Sequence, residues 1–317
     1  MKTTPALSTL VLLAGSSLAL TVGCAAPTEG SDPAPDGETV AASAAPLVSA
    51  EYTSDGDTIT LWHKAVAFCY LTDVRGDLLS REAEWGVAAY ARLTVEGDYY
   101  RLATVPGVKA SARCAPYGDF RGLGPERRVS TPGGWLFSYE RDRYPLWGAG
   151  SLCYLSGVHV GQKHGFDDAG TNARVFRDAS GQWYGQTHGG GRWEGGFLGY
   201  FGWGDTWVSE APYGYAMCVD TRASFRLSGA PGGGDQFYWA QGRPQTWMIP
   251  VSEGVCMLTG VDGRFAGGGE SVSVTQESGY WVLGGTSMQE GVAATAQCVP
   301  YNQFTFTAAP GFFAGLK

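Results

Sequence analysis

The chain has little charge and gathers neither sign into a run. Of its 317 residues, 16% are Asp, Glu, Lys or Arg, the net charge is -8, and Arg127-Arg128 is the one adjacent basic pair. Without a basic stripe there is no electrostatic footprint for a phosphate backbone, which excludes nucleic acid as a partner. No stretch has the apolar spacing of an amphipathic helix. The 48 glycines also oppose long helices, since each costs ~1 kcal/mol in a helix interior. Missing too are a G-x-S-x-G elbow, an H-E-x-x-H pair, a phosphate loop ending in Lys-Ser or Lys-Thr, and a dinucleotide fingerprint. Their absence removes the sharpest signs of hydrolase, zinc-protease and nucleotide chemistry. With no C-x-x-C pair a thiolate metal site is not expected, and neither a cofactor nor a catalytic residue is assigned.

Glycine and aromatic side chains are abundant instead, the latter at 13% within a 44% hydrophobic composition. That mixture is typical of turn-rich β proteins, and the length suits two or three domains. Short runs in which apolar and polar residues alternate, separated by Gly-rich turns, have the strand period throughout. The chain is therefore expected to be all-β. Gly189-Gly190-Gly191 and Gly267-Gly268-Gly269 are expected to be wide hairpin turns, because neither opens a helix.

The alternating runs recur. Cys69, Leu71, Thr72, Val74, Glu84, Leu102, Ala110, Ala112 and Cys114 line up with Cys256, Leu258, Thr259, Val261, Glu270, Leu283, Ala294, Ala296 and Cys298, and both stretches exit through Cys-x-Pro-Tyr-x-x-Phe. A third copy opens at Cys153 and closes near Cys218. The period of roughly 85 to 100 residues is too long for one propeller blade or trefoil lobe. Three divergent tandem repeats of a small antiparallel β module are expected, over 56–120, 121–225 and 226–317; a single pseudo-threefold body is the alternative. Each copy owns one early and one late cysteine, so the pairs 69 with 114, 153 with 218 and 256 with 298 are expected. Closing a loop of ~45 residues stabilises by about 4 kcal/mol in the chain-entropy model. A tryptophan precedes each first cysteine, Trp62, Trp147 and Trp247, and is expected to lie in the core under the sheet.

The seventh cysteine stands at the amino end. Met1-Lys2 forms a short positive head, and Ala6 to Leu20 is an apolar stretch of secretory-signal length, too short to span a bilayer. Thr21-Val22-Gly23-Cys24 follows and resembles the lipobox of bacterial lipoproteins. The resemblance implies a signal peptide over 1–23, an acylated Cys24 as the link to a membrane, and an oxidising exported setting that permits disulfides. Neither Ala25 nor Ala26 is the acidic residue that in this family favours the inner membrane, which implies the outer membrane or cell surface. Residues 24–55, rich in Ala, Pro, Gly, Ser and acids, are expected to be a flexible acidic tether.

The middle copy carries an insertion, WYGQTHGGGRWEGGFLGYFGWGDTW from Trp183 to Trp207. Rings set among glycines in a loop serve either as anchors for a partner and platforms for sugar faces, or as a plug between copies. Trp193, Phe197, Tyr200, Phe201, Trp203 and Trp207 are the candidate ligand-binding residues. His159, His164 and His188, near Asp167 and Asp168, are expected to be solvated loop histidines, and Glu84 and Glu270 to be matching structural residues. The expected function is non-catalytic binding or adhesion at the cell surface, with polysaccharide or a surface protein as ligand. A structural envelope component and a hydrolase of envelope polymers are the alternatives.

Overall fold

The computed structural model describes residues 50–79, 89–117, 135–137, 143–146, 151–161, 165–189, 191–195, 205–209, 212–220 and 236–301. Among these residues there is no α-helix. The strands of the first cysteine-bounded segment and its approach are β1 (Tyr52–Asp55), β2 (Thr58–His63), β3 (Ala67–Gly76), β4 (Tyr90–Glu96), β5 (Tyr99–Thr104) and β6 (Val108–Pro116). The second has β7 (Trp135–Phe137), β8 (Tyr144–Pro145), β9 (Ser151–His159), β10 (Asn172–Arg177), β11 (Trp183–His188), β12 (Gly191–Gly195), β13 (Asp205–Ser209) and β14 (Tyr213–Asp220). The third has β15 (Phe237–Ala240), β16 (Thr246–Pro250), β17 (Gly254–Asp262), β18 (Ser271–Glu277), β19 (Tyr280–Thr286) and β20 (Ala293–Pro300).

Three six-stranded antiparallel sheets result, with a separate ribbon β12-β13. Sheet one runs β1-β6-β3-β18-β19-β16, sheet two β2-β5-β4-β9-β14-β7, and sheet three β15-β20-β17-β10-β11-β8. At the heart of each sheet are the two cysteine strands, and the cysteines are direct register partners. The disulfides Cys69–Cys114, Cys153–Cys218 and Cys256–Cys298 span Cα separations of 3.9, 4.1 and 4.0 Å. All six half-cystines are buried.

Each sheet draws on two segments. The hairpin β18-β19 of the third segment joins β3 of the first, β4-β5 of the first joins β9 of the second, and β10-β11 of the second joins β17 of the third. The donation therefore closes a ring, so the expected boundaries near 120 and 225 divide the chain but not the sheets. Hydrogen bonds follow the same ring: Gly76 N donates to Glu270 O (3.0 Å), Val160 N to Ala89 O (2.9 Å) and Gly263 N to Thr171 O (2.7 Å). At its centre Leu78 N donates to Phe265 O, Phe265 N to Phe166 O and Phe166 N to Leu78 O, at 2.9 to 3.0 Å. All three side chains are fully buried. Buried backbone groups must find partners, and here each segment supplies the next. The described residues belong to one compact unit.

Local sequence explains the strands. In β18, Val272 and Val274 are buried while Ser273 and Thr275 on the alternate positions are half-buried, which is the period of a sheet with one wet face. Three residues after each first cysteine the register shifts, leaving Thr72, Ser156 and Thr259 without an opposite residue. Such bulges re-aim the residues that follow them. All three bulged side chains are hydroxyls, and all are buried.

Two expectations are corrected. Tyr52–Asp55 pairs with β6 through Tyr52↔Ala112 to Asp55↔Lys109, so the end of the stretch read as a tether is a strand. Tyr52 ties it down by accepting a 2.7 Å hydrogen bond from Trp62 Nε1. The tryptophans before the cysteines are not the core rings either: Trp247 is 51% exposed, Trp62 is half-buried, and Trp147 lies outside the described residues. Among the fully buried rings, Tyr100, Trp183 and Trp281 instead stand at matching register positions, opposite Val95, Arg177 and Gln276. A hairpin that packs under a neighbouring segment carries more buried area than an edge strand, so the large ring belongs there.

Candidate functional site

The bulges turn one row of residues on each sheet toward the outer face, and the three rows have different chemistry. On sheet one the row is Thr53, Ser111, Asp73 and Ser273. On sheet two it is Tyr215, Gly157 and Arg92. On sheet three it is Tyr238, Thr295, Gly260 and Arg174. The next row outward has Lys109 and Arg75 on sheet one, Tyr213, His159 and Tyr90 on sheet two, and Ala293, Asp262 and Asn172 on sheet three.

Sheet two presents rings. His159 stands between Tyr213 and Tyr90 on its two neighbouring strands, with ring centroids 5.6 and 6.2 Å away, and Tyr215 is 6.4 Å from it. The Arg92 guanidinium lies over the Tyr215 ring at 4.2 Å, a cation–π contact. Gly157 makes room for this arrangement, because a Cβ there would stand 2.8 Å from Ala91 O and 3.3 Å from Arg92 Cβ. Burial, and then the Arg92 charge, lower the His159 pKa, so its ring is neutral at neutral pH. All five side chains are half-buried, which leaves flat ring faces beside one guanidinium.

Sheet one presents a cleft of about 310 Å³, lined by Glu51, Thr53, Asp73, Arg75, Lys109, Ser111, Ser273 and Thr275. Asp73 is 4% exposed. Arg75 grips one oxygen of its carboxylate from Nε (2.9 Å) and Nη2 (2.7 Å), and the other, Oδ1, has no side-chain partner. Burial pushes the Asp73 pKa up to about 6 against the opposing pull of Arg75. Thr53 and Ser111 share a 2.9 Å hydrogen bond, Lys109 pairs with Asp55 at 2.6 Å, and Glu51 accepts from Thr72 at 2.8 Å.

Sheet three has a third arrangement, in which Arg174 Nε donates to Asp262 Oδ1 at 2.6 Å. Burial raises the Asp262 pKa although Arg174 opposes it. Gly260 is the counterpart of Gly157, and a Cβ there would collide with Thr295 Oγ1 and stand 2.9 Å from Arg174 Cγ.

Among the residues singled out in the sequence, Trp193 and Trp207 are direct register partners in the β12-β13 ribbon. Phe197, Tyr200, Phe201 and Trp203 lie outside the described residues, as do Cys24, His164 and Glu84. In the chain the ribbon precedes β14, the strand that carries Tyr213 and Tyr215. His188 is exposed at the end of β11, but His159 is a half-buried strand residue among rings rather than a loop histidine. Asp168 closes a turn by accepting from Gly170 N (2.8 Å) and Thr171 Oγ1 (3.0 Å). Glu270 is buried, and the inter-segment hydrogen bonds match it to Ala89 and Thr171 rather than to Glu84. The segment before β4 is longer than the segment before β18, so matching the two glutamates by sequence misplaces the extra residues. Among the described residues no three His, Cys, Asp or Glu side chains are grouped as metal ligands, and no helix is long and apolar enough to cross a membrane.

Sequence reading missed Tyr90, Arg92, Asp73, Tyr213 and Tyr215. The available signals were Tyr90-Ala91-Arg92 and Tyr213-Gly214-Tyr215, where large polar-tipped residues alternate with small ones and so share one face of a strand. Set against known proteins, the chain matches no family model, no curated protein and no solved structure.

Proposed function

We propose that this protein is a non-catalytic binding protein of the cell surface, exported and anchored through a lipid on Cys24, that recognises polysaccharide through the outer face of sheet two. Its three β modules are divergent copies that exchange hairpins around a ring. The observation that supports this reading is the row Tyr213, His159 and Tyr90, with Arg92 beside it on Tyr215. Flat, half-buried rings stack on the apolar faces of sugars, and a guanidinium at their edge donates to ring hydroxyls or carboxylates. The aromatic insertion, with Trp193 opposite Trp207, comes shortly before β14 in the chain and is assigned to the same contact.

Affinity capture on a panel of immobilised cell-surface and plant polysaccharides tests the proposal. The expected result is retention by at least one polymer, lost in the Tyr213→Ala, Tyr215→Ala double variant and weakened in Trp193→Ala, Trp207→Ala, with near-UV circular dichroism unchanged. Retention that survives the double variant, or retention by none of the polymers, rejects sheet two as the contact.

A further inference from the structure

The cleft on sheet one has features that a purely structural surface does not need. Its lining charges cancel: Glu51 and Asp73 face Arg75 and Lys109. The Ser273 and Thr275 side chains, neighbours on the outer face of β18, make no hydrogen bond among the described residues although both are half-buried. Thr53 and Ser111 bond to each other, and one of these hydroxyls keeps a proton to donate. Asp73 lines the cleft, is more than nine-tenths buried, and its Oδ1 has no side-chain partner. Orphaned buried polar groups are costly and rare in native proteins.

We propose that this cleft is a second binding site, for a neutral sugar unit of one or two rings. A ligand that satisfies this lining must bring several groups that both donate and accept, and it must not bring net charge. Vicinal hydroxyls meet both conditions, since a pair of them can bridge a carboxylate and neighbouring serine or threonine hydroxyls. The volume, about 310 Å³, is at the small end of ligand sites. Register places the two cations, Lys109 and Arg75, at one end, Glu51 and Thr275 at the other, and the row Thr53, Ser111, Asp73 and Ser273 between them. Three of the four charges thereby frame a central stripe in which the Asp73 carboxylate stands among hydroxyls. An anionic sugar would meet Glu51 and Asp73, and an amino sugar would meet Arg75 and Lys109, so either bears a penalty that a neutral ring avoids.

This site stands apart from the sheet-two contact, and the outcome of polymer capture with Tyr213 and Tyr215 variants does not decide it. The test is saturation-transfer NMR and titration calorimetry on the full mature chain with neutral methyl glycosides of glucose, galactose and mannose, N-acetylglucosamine and their disaccharides. Glucuronate and glucosamine serve as charged controls. At least one neutral sugar is expected to bind, and Ser273→Ala with Thr275→Ala to weaken it about tenfold, as the loss of two modest hydrogen bonds predicts. Asp73→Asn, of nearly the same shape, is expected to weaken it further, with the thermal midpoint of the serine–threonine variant unchanged. The proposal is overturned if no neutral sugar binds up to about 50 mM, well above a millimolar Kd. It is equally overturned if a charged control binds more tightly, or if the double variant binds as the parent does.

Discussion

The outer faces of sheets one and two share one strand arrangement and have opposite chemistry. Both lie over a cross-strand disulfide, both follow a bulge three residues past a cysteine, and both receive a hairpin from another segment. Where sheet one has Asp73, Arg75, Ser111 and Ser273, sheet two has Gly157, His159, Tyr215 and Arg92. Small hydroxyl side chains leave an open, wet cleft, whereas tyrosines and an arginine laid over a glycine fill the same space with rings. The scaffold sets position and spacing, and a few side chains at the bulge decide what each face can hold.

Four measurements would break or sharpen that comparison. The largest effect is expected from the disulfides. Replacing Cys69 and Cys114 together by Ala should cost about 4 kcal/mol in denaturant unfolding, and replacing Cys153 and Cys218 a similar amount. The closed loops, at separations of 45 and 65 residues, differ too little for the logarithmic loop term to separate them. A large difference between the two pairs would mean that the sheets do not share one architecture.

The second is pH dependence, which should have opposite sign on the two faces. The Asp73 pKa is raised from 3.8 to about 6, so its contribution favours the fold below pH ~4 and is lost as pH rises through ~6, by at most about 3 kcal/mol. Asp73→Asn should flatten that part of the stability curve. His159 is shifted down from 6.5, so its contribution is present at neutral pH and is lost as pH falls below 6.5; His159→Phe should flatten this opposite limb. Stability curves of the two variants that bend in the same direction would contradict the assignment.

The third is steric. Gly157→Ala should destabilise by ~1 to 3 kcal/mol, because the added Cβ meets Ala91 O and Arg92 and the strands cannot move apart, and thermal unfolding measures it. Smallest is the cation–π contact: Tyr215→Leu should cost ~0.5 to 1 kcal/mol, and pairing it with Arg92→Met in a double-mutant cycle isolates that coupling. A zero coupling would leave Arg92 with a role in ligand contact alone.

Much of the architecture was legible in the residues. Strand periodicity announced an all-β chain, and the recurrence of Cys-x-Leu followed by Thr or Ser, with a late cysteine, predicted the three disulfides, which form as expected. The pairs Leu71 and Leu258, Val74 and Val261, and Ala112 and Ala296 also sit at matching register positions. Tryptophan position was misread because hydrophobicity reports how much area a ring can bury and says nothing of whether its strand is central or at an edge. The candidate site was largely illegible for a similar reason. Asp73, Ser111 and Ser273 are separated by 38 and 162 positions in the chain, and nothing local marks them as neighbours.

Sequence alone determined the strand period and the partner of each cysteine, because these rest on side-chain alternation and on cysteine spacing within each recurring stretch, both internal to one segment. Gly267-Gly268-Gly269, expected to be a hairpin turn, instead links β17 and β18, which lie in different sheets. Only the tertiary structure decided which hairpin enters which sheet, and therefore which residues share an outer face. Any of the three hairpins presents much the same alternation to any cysteine strand. The choice was made by long-range packing, by the central ring of hydrogen bonds through Leu78, Phe166 and Phe265, and by the requirement that no buried backbone group be left without a partner.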